Sequence, residues 1–519
     1  MNKQQQHYDL CVIGGGINGA GIARDAALRG LSVLLLEMND LASATSSAST
    51  KLVHGGLRYL EFYEFSLVRE SLQERERLMG IAPHIIWPLS FVLPHHAAIR
   101  PLWMIRAGLF LYDFLGGRRK RLPSSRYVAL KKHDYGAPLK DQYAKGFSYA
   151  DCWVQDSRLV ILNAMDAQKH GATVLTRHKV TGLKGDKTGW NVSYRSINAA
   201  PDETDKTDGP DGPDATTTIR ADMVVNAAGP WAEHLLQENG FYAKDQSLPH
   251  LRLVKGSHIV LPRQYDGDQA YILQQKDGRI VFAIPYETDF TLVGTTDEPV
   301  DQDSPVVCIS DSETAYLCNA YNDFFKKAIA PSDVVWSFSG VRALLDDGED
   351  EARAVTRDYK IYHHDHYAAP MLSIFGGKIT TYRKLAKQTV DRLMQLSGRK
   401  GDCMTGVKPL PGGDIEDGDM DFFMRRLQHA FAWLPEKLLR RYAVHYGTCV
   451  YSMLSGATSF ETMGRHFGDG VYECEIRYLL GHEFAENLDD ILWRRTKLGL
   501  HISEETKRNI ENFIRELKQ

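Results

Sequence analysis

Residues 8–19 read YDLCVIGGGING and residues 32–37 read SVLLLE. These two stretches decide the fold. Residues 8–13 are a short apolar run of the kind that fills a strand buried on both faces of a parallel sheet. Gly14-Gly15-Gly16 turns the chain, and residues 17–29 carry a helical pattern with Gly30 at its end. Residues 32–37 are a second buried strand. The unit is β-α-β, and its turn fits G-x-G-x-x-G through Gly14, Gly16 and Gly19. Gly14 permits the tight turn, Gly16 lets a pyrophosphate approach the backbone, and Gly19 lets helix and strand pack closely. The helix N-terminus offers N–H donors and partial positive charge to the phosphates. Glu37, at the end of the second strand, suits ribose hydroxyls and repels a 2′-phosphate, which favours FAD or NAD over NADP.

The chain around this unit has 519 residues, enough for two or three domains. Its 62 basic and 66 acidic residues leave a net charge of −4, so no global attraction to nucleic acid is expected. Seven cysteines form no CxxC pair, which predicts neither a metal cluster nor a disulfide framework and fits a reducing compartment. The first residues run straight into the strand without the charged and apolar regions of a secretory signal. No window reaches the roughly 20 apolar residues of a membrane-spanning helix.

Further along, 42–50 is a run of small and hydroxylated residues, including Thr45, Ser46 and Ser49, placed to line a cofactor. Residues 65–79 and 159–169 read as helices and 171–175 as another strand of the nucleotide-binding sheet. Residues 190–224 form a hairpin region broken by an acidic, Gly/Pro-rich insert at 198–218, read as a solvated loop. The strand 221–228 ends at Gly229-Pro230. Residues 250–300 alternate apolar and polar, as antiparallel strands do. Residues 371–375 are a buried strand ending in Gly376-Gly377-Lys378, with a helix predicted over 379–396. From 420 onward the chain is helical and charge-rich.

The β-α-β unit alone does not separate FAD from NAD. The next residues, Ser46-Ser47-Ala48-Ser49-Thr50-Lys51-Leu52-Val53-His54-Gly55-Gly56-Leu57-Arg58-Tyr59-Leu60, resemble the signature of the FAD-dependent glycerol-3-phosphate dehydrogenases. Asn226–Trp231 (NAAGPW), Lys255-Gly256-Ser257-His258, Gly294-Thr295-Thr296-Asp297, Ser339-Gly340-Val341-Arg342, Phe375–Tyr382 (FGGKITTY) and Leu492–Lys497 (LWRRTK) match as well, in order, from residue 8 to about 500. The aerobic, quinone-linked bacterial branch is the most similar. The resemblance implies an α/β architecture in three parts. A discontinuous Rossmann-like FAD domain takes 1–80, 145–232 and 335–400. An antiparallel-sheet substrate domain takes 81–144 and 233–334, and a helical cap takes 405–519. It implies FAD as cofactor, non-covalently held. The two glycine turns suit this: a chain that returns about 360 residues later to cover the flavin needs a second one. Gly376, Gly377, Lys378 and Thr380 would then lie against the ring, where the following helix dipole stabilises negative charge.

The resemblance further implies oxidation of sn-glycerol 3-phosphate to dihydroxyacetone phosphate, with hydride passing from C2 to flavin N5. A phosphate dianion calls for cations, and Arg58, Arg342, Arg357 and Lys378 are the candidates, with Tyr59 adding a neutral hydrogen bond. The C2 hydroxyl needs a base, for which His258 and His54 are the side chains of suitable type. Arg342 or Lys378 serves alternatively to polarise the C2 oxygen. The preferred roles are His258 as base or orienter and Arg342 as electrostatic partner.

Residues 102–115 (LWMIRAGLFLYDFL) carry only Arg106 and Asp113 as charges and precede Arg118-Arg119-Lys120-Arg121. A short apolar helix with a basic flank suits a lipid interface. With the family resemblance, it predicts peripheral attachment to the cytoplasmic face of the inner membrane, where ubiquinone accepts the electrons. An oxidase of the same fold passing electrons to O₂, and a flavin-binding protein without turnover, are the competing readings. Oligomeric state is open, with a homodimer among the options.

Overall fold

The computed structural model describes residues 6–95, 101–117, 121–197, 216–300, 307–346 and 359–519, apart from the side chains of Arg58, Glu61 and Phe62. Five parallel strands lie side by side in the order Met371–Gly376, Thr217–Asn226, His7–Ile13, Val33–Leu36 and Thr173–Leu175. Tyr359–His363 closes one edge antiparallel. The central strands are apolar on both faces because both are covered. On one side, the helix Ile17–Leu28 is wedged between Asp156–Lys169 and Tyr382–Ser397. Gly21 makes this wedge close, since a Cβ there would stand 2.7 Å from the Tyr382 ring.

A second, ten-stranded sheet is mostly antiparallel. Leu251–Pro262 pairs with Trp336–Leu345 on one side and with Phe290–Gly294 on the other. Gly146–Val154 pairs with Ile86–Pro94 over nine residue positions. Three strands inside the ranges expected for the nucleotide-binding domain therefore belong here: Leu52–Val53, Gly146–Val154 and Trp336–Leu345. Gly146–Val154 is buried along its whole length, so burial does not tell it from a strand of the parallel sheet. Only its partner distinguishes the two.

The helices Met420–Ala430, Glu436–Tyr446, Glu473–His482 and Glu504–Lys518 enclose a third core around Leu427, Leu439, Tyr442, Ile476, Leu479 and Ile510. The helix expected from residue 379 starts at Tyr382, because Ile379, Thr380 and Thr381 complete the turn after the glycines. Of the acidic insert, 198–215 lies outside the described residues.

Leu102–Leu115 is a helix, as predicted. Leu109 and Tyr112 face inward, while Trp103, Phe110 and Phe114 are 70%, 56% and 62% exposed. Both of its charges are tied to Ser125 on the returning chain. Asp113 accepts from the Ser125 N–H at 2.9 Å, and Arg106 donates to the Ser125 carbonyl at 3.2 Å. Its outer face carries Trp103, Met104, Phe110, Leu111 and Phe114, with Arg106 as an exposed charge among them. Of the basic flank, 118–120 lies outside the described residues.

Candidate active site

A cavity of about 540 Å³ runs along the carboxyl ends of the parallel strands and continues against the second sheet. Its first end is made of backbone. Gly14 sits at φ 108°, and a Cβ there would be 2.5 Å from the Ala227 carbonyl oxygen. Gly16 lines the cavity, and a Cβ there would stand 3.1 Å from Ser46 Oγ. Ser46 Oγ accepts the Ile17 N–H at 3.0 Å, at the start of the helix. Gly19 does not line the cavity; its Cβ would lie 1.8 Å from the Gly14 carbonyl, so its task is packing. Glu37 lines the cavity and its carboxylate also braces the turn, accepting N–H bonds from Gly15 at 2.6 Å and Asn39 at 2.8 Å. Burial pushes its pKa up, against the pull of those N–H bonds.

The second glycine corner meets the first. Gly376 and Gly377 have φ of 81° and 104°, the left-handed region that a side chain disfavours. Asn18 Nδ2 donates to the Gly376 carbonyl at 3.3 Å, joining the corners across 358 residues. Thr45 Oγ1 donates to the Val341 carbonyl at 2.6 Å, and Ser49 Oγ to Asp156 at 2.7 Å. Gly229 and Thr380 complete this wall.

At the other end the surface is made of side chains. His258 is buried, stacked on Phe338 at a centroid distance of 4.8 Å, and its Nε2 meets Thr50 Oγ1 at 3.0 Å. Gly294 lies opposite it in the sheet, where a Cβ would strike the ring at 2.1 Å. Burial, then Arg342 and Lys51, lower the pKa of His258 well below the ordinary value, so the ring is neutral. Arg342 pairs with Asp297 and donates to Thr295 Oγ1 at 2.9 Å. Gly256 makes room for its guanidinium, since a Cβ there would be 2.2 Å from Nη2. Lys378 Nζ stands 3.9 Å above the centre of the Tyr59 ring. The His54 N–H donates to Thr380 Oγ1 at 3.3 Å, and His54 also lines the cavity.

The structure thus gathers His258, Arg342, His54, Tyr59 and Lys378 around one space. The Arg58 side chain and the whole of Arg357 lie outside the described residues. Sequence reasoning missed the roles of Asn18, Thr50, Asp297 and the Lys51–Asp156 pair, whose Nζ–Oδ1 distance is 2.9 Å. Most of these stood inside quoted motifs; what was lacking was the partner, which lies far away in sequence.

The cavity fits FAD. Two glycine corners with left-handed backbone flank it, and the acidic Glu37 lines it at the end of the strand Val33–Leu36. Two buried polar atoms on its lining, Asn18 Oδ1 and His258 Nδ1, have no hydrogen-bond partner among the described residues. A strand-end site of this kind, in a parallel sheet joined to a second antiparallel sheet, defines a dinucleotide-binding flavoenzyme.

Residues 9–383 match the family described as FAD dependent oxidoreductase, and residues 403–519 match the C-terminal domain of alpha-glycerophosphate oxidase. The chain belongs to the FAD-dependent oxidoreductase family, in the branch that carries this C-terminal domain, and FAD is its cofactor. It is 48% identical over 496 residues to D-erythritol 1-phosphate dehydrogenase of Brucella abortus, covering 96% of this chain and 95% of the relative. It is also 48% identical over 497 residues to glycerol-3-phosphate dehydrogenase of Pseudomonas aeruginosa, covering 96% and 93%. The glycerol-3-phosphate dehydrogenase of Bacillus halodurans complexed with FAD superposes with a TM-score of 0.73 at 27% identity, covering 99% of this chain and 94% of that one.

Proposed function

We propose that the chain oxidises sn-glycerol 3-phosphate at C2 to dihydroxyacetone phosphate and delivers the electrons to ubiquinone from the cytoplasmic face of the inner membrane. The observation that carries the substrate half is the convergence of Lys378, Arg342 and neutral His258 beside the second glycine corner. When bound, FAD supplies the two-electron acceptor. The protein's own residues bind, polarise and deprotonate. Lys378, with Arg58 from the turn Leu57–Phe62, meets the phosphate dianion. Arg342, oriented by Asp297, polarises the C2 oxygen. His258 is in its acceptor form because burial keeps it neutral, and an entering dianion raises its proton affinity. Thr50 holds the ring in place. His54 is the alternative base.

The membrane half is supported by Leu102–Leu115, whose exposed residues include Trp103, Phe110 and Phe114 with Arg106 as the exposed charge. No helix among the described residues is long and apolar enough to cross a membrane. The helix is also wired to the site. Its Tyr112 hydroxyl accepts the Gly55 N–H at 2.8 Å and donates to Asp151 at 2.8 Å, next to His54.

The equal similarity to D-erythritol 1-phosphate dehydrogenase supports a second reading, in which the substrate is a longer polyol phosphate. Anaerobic mixing of the flavoprotein with each phosphate separates the two: the true substrate bleaches the flavin absorption. If neither does, the polyol-phosphate assignment falls. Turnover with vesicles and a ubiquinone analogue, against peroxide formation in air, separates the dehydrogenase from an oxidase. Trp103→Ser with Phe114→Ser should weaken vesicle binding about tenfold, from the apolar area lost. Unchanged binding would remove this helix from the membrane contact.

A further inference from the structure

The segment Asp490–Arg495 of the C-terminal domain is a wide, irregular helical turn, and it grips the nucleotide-binding domain at two points. At the first, Asp40 Oδ2 accepts from Arg494 Nε and Arg495 Nη1. At the second, Arg177 donates from Nη2 to Asp490 at 2.6 Å and pairs through Nη1 with Glu486 at 3.1 Å. The pairs are crossed in sign: the acid belongs to the nucleotide side at the first point and to the C-terminal side at the second. Asp40, Asp490 and Arg495 are buried, so these are not solvent-screened surface pairs.

Both points back onto walls of the same end of the cavity. Asp40 directly follows Glu37, Met38 and Asn39, which line it, and Arg177 directly precedes His178, Lys179 and Val180, which also line it. The two walls are joined by backbone bonds at 2.8 Å, from the Arg177 N–H to the Asn39 carbonyl and from the His178 N–H to the Glu37 carbonyl. Arg177 stands at φ 57°, a conformation that a residue with a Cβ keeps only when its surroundings hold it. The side-chain pairs to Asp490 and Glu486 are part of that hold.

We propose that the C-terminal domain clamps the adenosine half of the FAD site, with Asp490, Arg494 and Arg495 as positioning residues that set cofactor affinity through Asp40 and Arg177. The proposal rests on the assignment of FAD to the cavity. None of these five residues lines the cavity. Their effect is to hold the Glu37 turn and the 177–180 wall at the spacing the nucleotide needs. Coupling of this kind is reciprocal, so bound nucleotide also holds the C-terminal segment in place.

The test titrates FAD, and separately ADP as a probe of the adenosine half, into the deflavinated full-length chain. The chains compared are wild type, Arg494→Gln, Asp40→Asn and the control Arg441→Gln. Arg441 forms an ion pair with Glu475 inside the C-terminal domain and does not reach the nucleotide side. Arg494→Gln and Asp40→Asn should raise the Kd for FAD and for ADP by a similar factor, about tenfold. Arg441→Gln should lower Tm but change either Kd by less than about twofold. Wild-type FAD affinity in the two clamp variants overturns the proposal, and so does equal weakening by the control. If the variants do not fold, hydrogen exchange over 486–497 in the wild-type chain decides. Slowing by FAD supports the clamp, and no change overturns it. A wild-type chain that takes up no FAD overturns the flavin assignment and the clamp together, whereas intact affinity in the variants overturns the clamp alone.

Discussion

At one end of the cavity the protein presents backbone, and at the other it presents side chains. The first end consists of Gly14 and Gly16, with the first turn of the helix Ile17–Leu28, and it meets the Gly376-Gly377 corner through Asn18. The end proposed for the substrate consists of His258, Arg342 and Lys378, each of which depends on a partner elsewhere. His258 needs the space left by Gly294 and the hydroxyl of Thr50. Arg342 needs the space left by Gly256 and the carboxylate of Asp297. Lys378 needs the face of Tyr59. A backbone cradle is unforgiving where, as at Gly14, one added methyl group meets a carbonyl oxygen. A side-chain site is distributed: losing one member leaves the fold and removes one function. The two ends should therefore fail in different ways.

The largest effect is expected at the backbone end. Gly19→Ala places a methyl group 1.8 Å from the Gly14 carbonyl oxygen, an overpacking that costs about 3 kcal/mol or more. The purified protein should lack flavin absorption; a yellow Gly19→Ala protein would show that the turn can shift, and the contrast between the ends would weaken. At the side-chain end, Arg342→Ala should keep the fold and reduce turnover at least about 10²-fold, the scale of a lost oxyanion donor. Steady-state rates with flavin content measured in parallel check this, and near-normal turnover would take Arg342 out of the site. Asp297→Asn keeps a hydrogen-bond acceptor for Arg342 and removes one negative charge from the site. KM for the dianion should fall while kcat falls by about tenfold, as the guanidinium loses its fixed orientation. An unchanged kcat would show that Thr295 and the Thr296 carbonyl suffice to hold it.

The remaining effect is on stability and concerns the neutral histidines. Burial, then Arg342 and Lys51, press the pKa of His258 far down, while burial, then Arg158 and His445, bring that of His84 to about 3. Folded, both stay neutral below the ordinary value of 6.5, whereas the unfolded chain takes up protons there. Their contribution is complete above that value and is lost as pH falls below it, by about 1.4 kcal/mol per pH unit for each ring. The thermal midpoint should drop accordingly and His84→Gln should flatten the slope. A midpoint that stays level between about pH 7 and about pH 5 would contradict this.

What could be read in advance divides along the same line. G-x-G-x-x-G, Glu37 at the strand end and the second glycine turn mark themselves, because turn geometry and strand burial depend on neighbours in sequence. The helix Leu102–Leu115 was equally plain, since its apolar character is periodic and local. The bounds 1–80, 145–232 and 335–400 take in Leu52–Val53, Gly146–Val154 and Trp336–Leu345, which pair in the second sheet, because the partner of a strand is not written in its own residues. Asn18, Asp297 and the Lys51–Asp156 pair were overlooked because a polar side chain gains a role only from what it meets.

The sequence by itself determined the β-α-β unit, the two glycine corners and the set of cations and imidazoles to be placed near them. These follow from backbone sterics and from the ordinary chemistry of each side chain. Tertiary structure alone decided that the corners touch through Asn18, that His258 is neutral, that Arg342 is answered by Asp297, and that the C-terminal domain closes on the Glu37 turn. Charge state and hydrogen-bond satisfaction are properties of an environment, and that environment is assembled from segments hundreds of residues apart.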